Sequence, residues 1–161
     1  MRYRQTIAVL ALVGCFVALY LWLHALGYGG AIKCGASGGC EIVQTSQWAT
    51  FLGLPVAFYG VIGYLAVLVV ALAALRPAAL AQTSWSTLLA LLATIGFGFT
   101  LYLTYLELFV IHAICRWCIG SAAIITLIWI VAMAEWIASG VRSPATRTDP
   151  AASRQQPGPR V

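Results

Sequence analysis

Cys115-Arg-Trp-Cys-Ile-Gly-Ser-Ala-Ala-Ile-Ile-Thr-Leu-Ile-Trp-Ile-Val-Ala-Met-Ala134 carries a single charge, at Arg116, and is otherwise dominated by apolar side chains. Crossing about 30 Å of hydrocarbon takes roughly 20 such residues in a helix. The run from about Trp117 to Ala138 therefore predicts a membrane span, and three more stretches qualify: about Thr6–Leu26, Phe51–Leu75 and Ser86–Ile111. The whole 161-residue chain is 62% hydrophobic and only 8% charged. A water-soluble domain of this size cannot hide that much apolar surface. The expected fold is all-α, a bundle of four transmembrane helices. The first stretch follows Arg2 and Arg4 like the start of a signal peptide, yet has no small-residue cleavage site close behind it. It is expected to be retained.

Four spans put both termini and the turn near Arg76-Pro77 on one side, with Arg2, Arg4, Arg76, Arg142, Arg147, Arg154 and Arg160. The other side holds Lys33 and Arg116. By the positive-inside rule the termini are expected in the cytoplasm. The net charge of +5 is largely this bias, and no basic stripe interleaves with aromatics as a nucleic-acid surface would require. The segment of residues 27–50 then faces outward, as does the short turn between the third and fourth spans. Beyond about Ser139 the composition turns to Arg, Pro, Ser, Thr and Gln, so residues 139–161 are expected to form a disordered cytoplasmic tail.

Four of the five cysteines lie in two close pairs, Cys34/Cys40 and Cys115/Cys118, separated by two spans. Both pairs are thus expected on the extracytoplasmic side, where disulfides persist in bacteria. Two residues between Cys115 and Cys118 set both sulfurs on one helical face, within disulfide reach. A helix start with Arg116 nearby favours a reactive thiolate. Cys34-Gly-Ala-Ser-Gly-Gly-Cys40 closes too small a loop to stabilise much, since that gain grows with loop length. A mobile pair exchanging its bond with Cys115/Cys118 explains the spacing. A four-thiolate metal site, or a metal transporter, is the competing reading.

Electrons entering such a relay need an exit, and the sequence shows no haem, flavin or nucleotide signature. A membrane quinone, ubiquinone or menaquinone, is the expected acceptor. A DsbA-type oxidant at about −120 mV needs a strong one. Candidate pocket groups are Ser46, Tyr102, Tyr105 and Glu107. Glu107 lies about one turn inside the outer boundary, where a carboxylate suggests function: pairing with Arg116, or handling protons. Cys15 reads as a small apolar filler. His24 and His112 read as interfacial, and Glu135 as a residue reaching the inner headgroups. Gly53, Gly60 and Gly63 are expected to admit a neighbouring helix.

Taken in order, Cys34…Gly39-Cys40-Glu-Ile-Val-Gln-Thr-Ser46, Leu52-Gly-Leu-Pro-Val-Ala57…Gly60 and Tyr102-Leu-Thr-Tyr-Leu-Glu107…Cys115-Arg-Trp-Cys118 resemble bacterial homologues of vitamin K epoxide reductase. The likeness covers about Tyr20 to Ser121. It implies a four-helix bundle around a quinone, capped by the first external loop, that re-oxidises a thioredoxin-like, DsbA-type protein serving exported substrates. By position, Cys34 and Cys40 would be the shuttle pair. Cys115 would exchange with the loop, Cys118 would face the quinone, and Ser46 would lie near the pocket. Many bacterial members carry a fused thioredoxin-like domain, whereas this chain ends in a polar tail, so a separate partner is expected. Vertebrate members have a tyrosine shortly after the second cysteine of the helix pair, where this chain has Gly120-Ser-Ala-Ala123. That departure favours plain quinone reduction over epoxide reduction.

Overall fold

Four long apolar helices dominate the computed structural model, which describes residues 2–28, 39–76 and 83–142. They are α1 (Arg2–Ala25), α3 (Val56–Ala73), α4 (Thr83–Tyr105, continued by a π-helical segment, Leu106–Ile111) and α5 (Arg116–Arg142). A short helix, α2 (Gly39–Thr45), and a 3-10 turn (Gln47–Ala49) lie between α1 and α3. Cys34, Lys33 and the tail beyond Arg142 lie outside the described residues.

The bundle is organised for lipid. Its exterior carries large apolar side chains, with Ile95 69% exposed and Phe16 63%. Its interior is built largely from small ones. On α1 the buried positions are Arg4, Ile7, Ala8, Ala11, Gly14, Ala18 and Leu21, the three-and-four spacing of a helix seam. Such small side chains let helices approach closely where no hydrophobic effect drives them together. α1 packs against α3 and α5, α4 packs against α5, and α3 and α4 touch more lightly. A Cβ on Gly14 would run into the Tyr64 ring of α3. That is the tightest glycine contact between the long helices; Gly60 meets only Ala18 Cβ, at 3.4 Å, and Gly63 meets nothing within 4 Å. Between α4 and α5, Phe97 stacks on Trp129 at 4.7 Å, and the Trp129 indole N–H donates to Thr94 Oγ1 at 3.1 Å.

The antiparallel run of the helices gives the bundle two unlike ends. At one, the Arg4 guanidinium reaches across all four helices. Its Nε donates to Glu135 Oε1 at 2.5 Å, Nη1 to the Ala74 carbonyl at 2.5 Å and Nη2 to Ser86 Oγ at 3.2 Å. Ser86 Oγ also donates to Glu135 Oε1, at 3.0 Å. Arg4, Ser86 and Glu135 are all buried. Glu135, expected among the headgroups, instead points inward to the Arg4 cation.

Two boundaries differ from the expectation. α3 begins at Val56, not near Phe51, because Thr50–Phe51 (β1) and Leu54–Pro55 (β2) pair as a tiny antiparallel hairpin. Its two-residue turn needs positive φ at both Leu52 (51°) and Gly53 (81°), which a right-handed helix excludes. Gly53 thus serves a turn and not a helix contact. Pro55, extended, caps α3 from outside. Tyr59 pins the hairpin to α3, donating to the Phe51 carbonyl at 3.0 Å. At the other end of the chain, α5 continues through residues 139–142, which the composition alone assigns to the tail.

Candidate redox site and cavity

The second end of the bundle gathers the cysteines. Cys40 on α2 and Cys115 just before α5 are both 0% exposed and share one apolar cluster with Leu21. Val17, Val43, Ala57 and Cys118 pack against it. Cys40 is disulfide-bonded, whereas Cys15, Cys115 and Cys118 are free thiols. Cys15 packs at the margin of the main core and takes no part in this cluster.

Gly39 explains how α2 comes so near. A Cβ there would collide with the Ile114 carbonyl, so only glycine lets the start of α2 lie on the backbone leading to Cys115. That backbone is shaped by the π segment. The segment ends at His112 in the left-handed region (φ 55°), whose N–H donates to the Glu107 carbonyl. The Ala113 N–H donates to the same carbonyl, at 3.2 Å. Glu107 is buried, and its Oε2 accepts the Cys115 N–H at 3.5 Å. Glu107 also shares a cavity wall with Cys118. Arg116 is exposed, and among the described residues no ion pair joins it to Glu107.

Cys115 occupies the N-cap of α5. Its carbonyl accepts the Ile119 N–H at 2.9 Å, and its Sγ accepts the Cys118 N–H at 3.3 Å. The sulfur thus takes the role a serine oxygen plays in an ordinary cap, at the positive end of the helix. The hydrogen-bonding Cys118 thiol, aided by the Cys118 and Trp117 amides, pulls the Cys115 thiol below the usual cysteine value against the opposing effects of burial and Glu107. A depressed value means the thiolate fraction grows with pH through a midpoint below that of an ordinary thiol, about 8.5. Alkylation of Cys115 in the reduced protein, followed by mass spectrometry across pH, is expected to show that early midpoint. Because the Cys118 thiol is the main cause, Cys118→Ala should move the midpoint to higher pH.

Cys118 faces elsewhere. With Ser46, Glu107 and Ser121 it lines a cavity of about 470 Å³ between the helices, which extends past Tyr64 and Phe99 to Val67, Leu92 and Ile125. Cys115 does not line it. Ser46 donates to the Val43 carbonyl at 2.8 Å, and Tyr64 donates to the Ser121 carbonyl at 2.8 Å. Trp48 and Phe51 also reach the cavity wall, and neither stands out in the sequence as a pocket group. Tyr102 and Tyr105 are exposed on the outside of α4, Tyr105 stacked on Phe109 at 5.1 Å, and neither lines the cavity.

The sequence matches the Vitamin K epoxide reductase family over residues 5–133. The chain belongs to this family. As a vitamin K epoxide reductase family member it is a multi-pass membrane enzyme of the thiol–quinone oxidoreductase class. Its Cys40, Cys115 and Cys118 are gathered at one end of the bundle, as a redox relay requires. Among the described residues, which do not include Cys34, no group of three or more His, Cys, Asp and Glu side chains is placed to hold a metal ion.

Proposed function

We propose that the protein is a thiol:quinone oxidoreductase that re-oxidises a separate thioredoxin-like, DsbA-type protein and so sustains disulfide formation in exported proteins. It would lie in a bacterial inner membrane, with its termini cytoplasmic and its cysteine pairs outside. Arg76 and the Arg4 end of the bundle, opposite the cysteines, support that orientation under the positive-inside rule.

The observation that carries the reading is the division of labour at the bundle mouth. Cys115 is packed with disulfide-bonded Cys40, while Cys118, one turn on, opens to the cavity. A partner thiolate attacks the Cys34–Cys40 disulfide, and the partner's second thiol resolves the mixed disulfide. The partner leaves oxidised, and both loop sulfurs are thiols. The Cys40 thiolate attacks Cys115 Sγ in an oxidised Cys115–Cys118 pair, and Cys118 leaves as a thiolate. Cys34 then attacks Cys40, expelling the Cys115 thiolate and restoring the loop disulfide. The depressed Cys115 value suits that departure, because a more acidic thiol leaves faster. Two electrons now rest on Cys115 and Cys118.

The cavity fits a quinone. Its size is within the usual range for small-molecule sites, it is mainly apolar, and its few polar groups include Ser46, Glu107 and Ser121 alongside Cys118. Ser46, Glu107, Trp48 and Phe51 would hold the ring end, and Val67, Leu92 and Ile125 the apolar tail. When bound, the quinone supplies a two-electron, two-proton acceptor that lets the helix pair close its disulfide again.

Trapping tests the order of exchange. The double variant Cys34→Ala/Cys118→Ala removes both resolving thiols. Mild oxidation of this variant in membranes should then yield a Cys40–Cys115 disulfide as the dominant cross-linked peptide. Its absence, with both thiols recovered free, would refute the relay.

A further inference from the structure

We propose that Glu107 is a catalytic base that accepts the Cys118 proton and holds it at the cavity wall, a role that rests on the quinone-reductase reading. Three observations converge on this carboxyl. It is buried, it lines the same cavity as Cys118, and its Oε2 accepts the N–H of Cys115, the first residue of the Cys-x-x-Cys pair. The backbone is also committed to keeping it there. The π-helical widening of α4 and the left-handed His112 accompany the inward placement of Leu106 and Glu107, and the Cys115 N–H holds Oε2. π-segments interrupt α-helices frequently at functional sites.

Among the described residues, the groups around Glu107 leave it no competing partner for this task. From α5 come Cys115, whose N–H it accepts, and Cys118 on the same cavity wall. α2 carries Cys40, which is disulfide-bonded here, and α3 puts Tyr59 and Tyr64 on that wall, their hydroxyls given to the Phe51 and Ser121 carbonyls. Glu41, Arg116 and Tyr105 are exposed to the surroundings, as is His112.

The proton count closes. Reducing a quinone to its hydroquinone takes two electrons and two protons, and oxidising two thiols to a disulfide releases the same. One proton passes from Cys118 Sγ to Glu107 and is held where the cavity can draw on it. The other returns from water, where the more acidic Cys115 has already released its own. Moving a proton between the sulfur and the carboxylate leaves the net charge of the buried pair unchanged, so the thiolate forms without adding charge inside the membrane. A neutral residue at this position forces each Cys118 thiolate to be made by losing a proton to bulk water.

The test uses Glu107→Gln, which keeps the size of the side chain and an oxygen for the Cys115 N–H, with Glu107→Asp as the conservative partner. Unfolding midpoints of the purified proteins establish that both fold. Turnover with a short-chain quinone and reduced thioredoxin-like protein is expected to fall at least about a hundredfold for Glu107→Gln, the usual scale of acid–base catalysis, and to recover partly for Glu107→Asp. The second readout needs no quinone. In a Cys115→Ala background, alkylation of Cys118 by a small uncharged reagent is followed peptide by peptide between about pH 6 and 8. With Glu107 present the rate should depend only weakly on pH; with Glu107→Gln it should climb about tenfold per pH unit, as a lone thiol does. Equal pH slopes in the two proteins would overturn the role, even if turnover drops, as would Glu107→Gln turnover within about threefold of the parent. Failure of the parent protein to reduce quinone with thiols would sink the oxidoreductase reading itself, which separates the two conclusions.

Discussion

Cys118→Ala is expected to abolish quinone reduction, with turnover below detection and at least about a thousandfold under the parent, the scale on which loss of a covalent catalytic group is felt. One thiol cannot surrender two electrons by closing a disulfide, and Cys115 does not reach the cavity that Cys118 lines. Cys115 remains buried beside Cys40, so the loop can still exchange with it but the electrons have nowhere to go. Reduced thioredoxin-like partner should accumulate in cells that carry only this variant, measured by trapping its thiols in acid and resolving the oxidised and reduced forms. Normal partner oxidation in such cells would remove Cys118 from the electron path. Cys15→Ala, a change in the margin of the main core, should leave the partner oxidised.

How far the sequence alone reaches can be seen element by element. The four spans are legible because the bilayer asks for length and apolarity together, and few other folds ask for both. The Cys-x-x-Cys spacing is legible for a local reason: two intervening residues decide the geometry of the pair whatever surrounds it. The hairpin at Thr50–Pro55 is not, because its turn sets Leu52, a residue that rarely adopts positive φ, beside Gly53. The apolar pair Phe51-Leu52 reads instead as the start of a helix. The π segment is equally silent. Leu106–Ile111 has the composition of ordinary α-helix, and the wider turn answers to the burial of Glu107 and the exit of α4 at His112. Tyr102 and Tyr105 are plausible pocket residues by proximity in sequence to Glu107, yet the helix turns them outward. Gly39 reads as part of a glycine-rich run, while its steric role against Ile114 depends on a contact that no local pattern announces.

The same limit hides the Arg4 cluster, whose ion pair joins residues near opposite ends of the described chain, and it carries the largest expected effect on stability. Arg4→Met should destabilise the bundle by about 3–5 kcal/mol, the cost of stranding one charge of a buried pair. The loss has identifiable parts. Glu135 Oε2 already has no hydrogen-bond partner among the described residues, so losing Arg4 leaves the carboxylate with Ser86 Oγ alone among its described donors. The Ala74 carbonyl, at the C-terminal cap of α3, loses a cationic donor suited to that helix end. Replacing both charges, Arg4→Met with Glu135→Leu, should recover most of the stability, because an apolar pair of similar volume avoids the desolvation that the ion pair carries. Unfolding of the purified proteins in bicelles, monitored by helical circular dichroism, measures both. Should the single variant unfold like the parent, the cluster is not what holds this end of the bundle together. Should the double variant be no better than the single, the hydrogen bonds to Ala74 and Ser86, and not the stranded charge, set the cost.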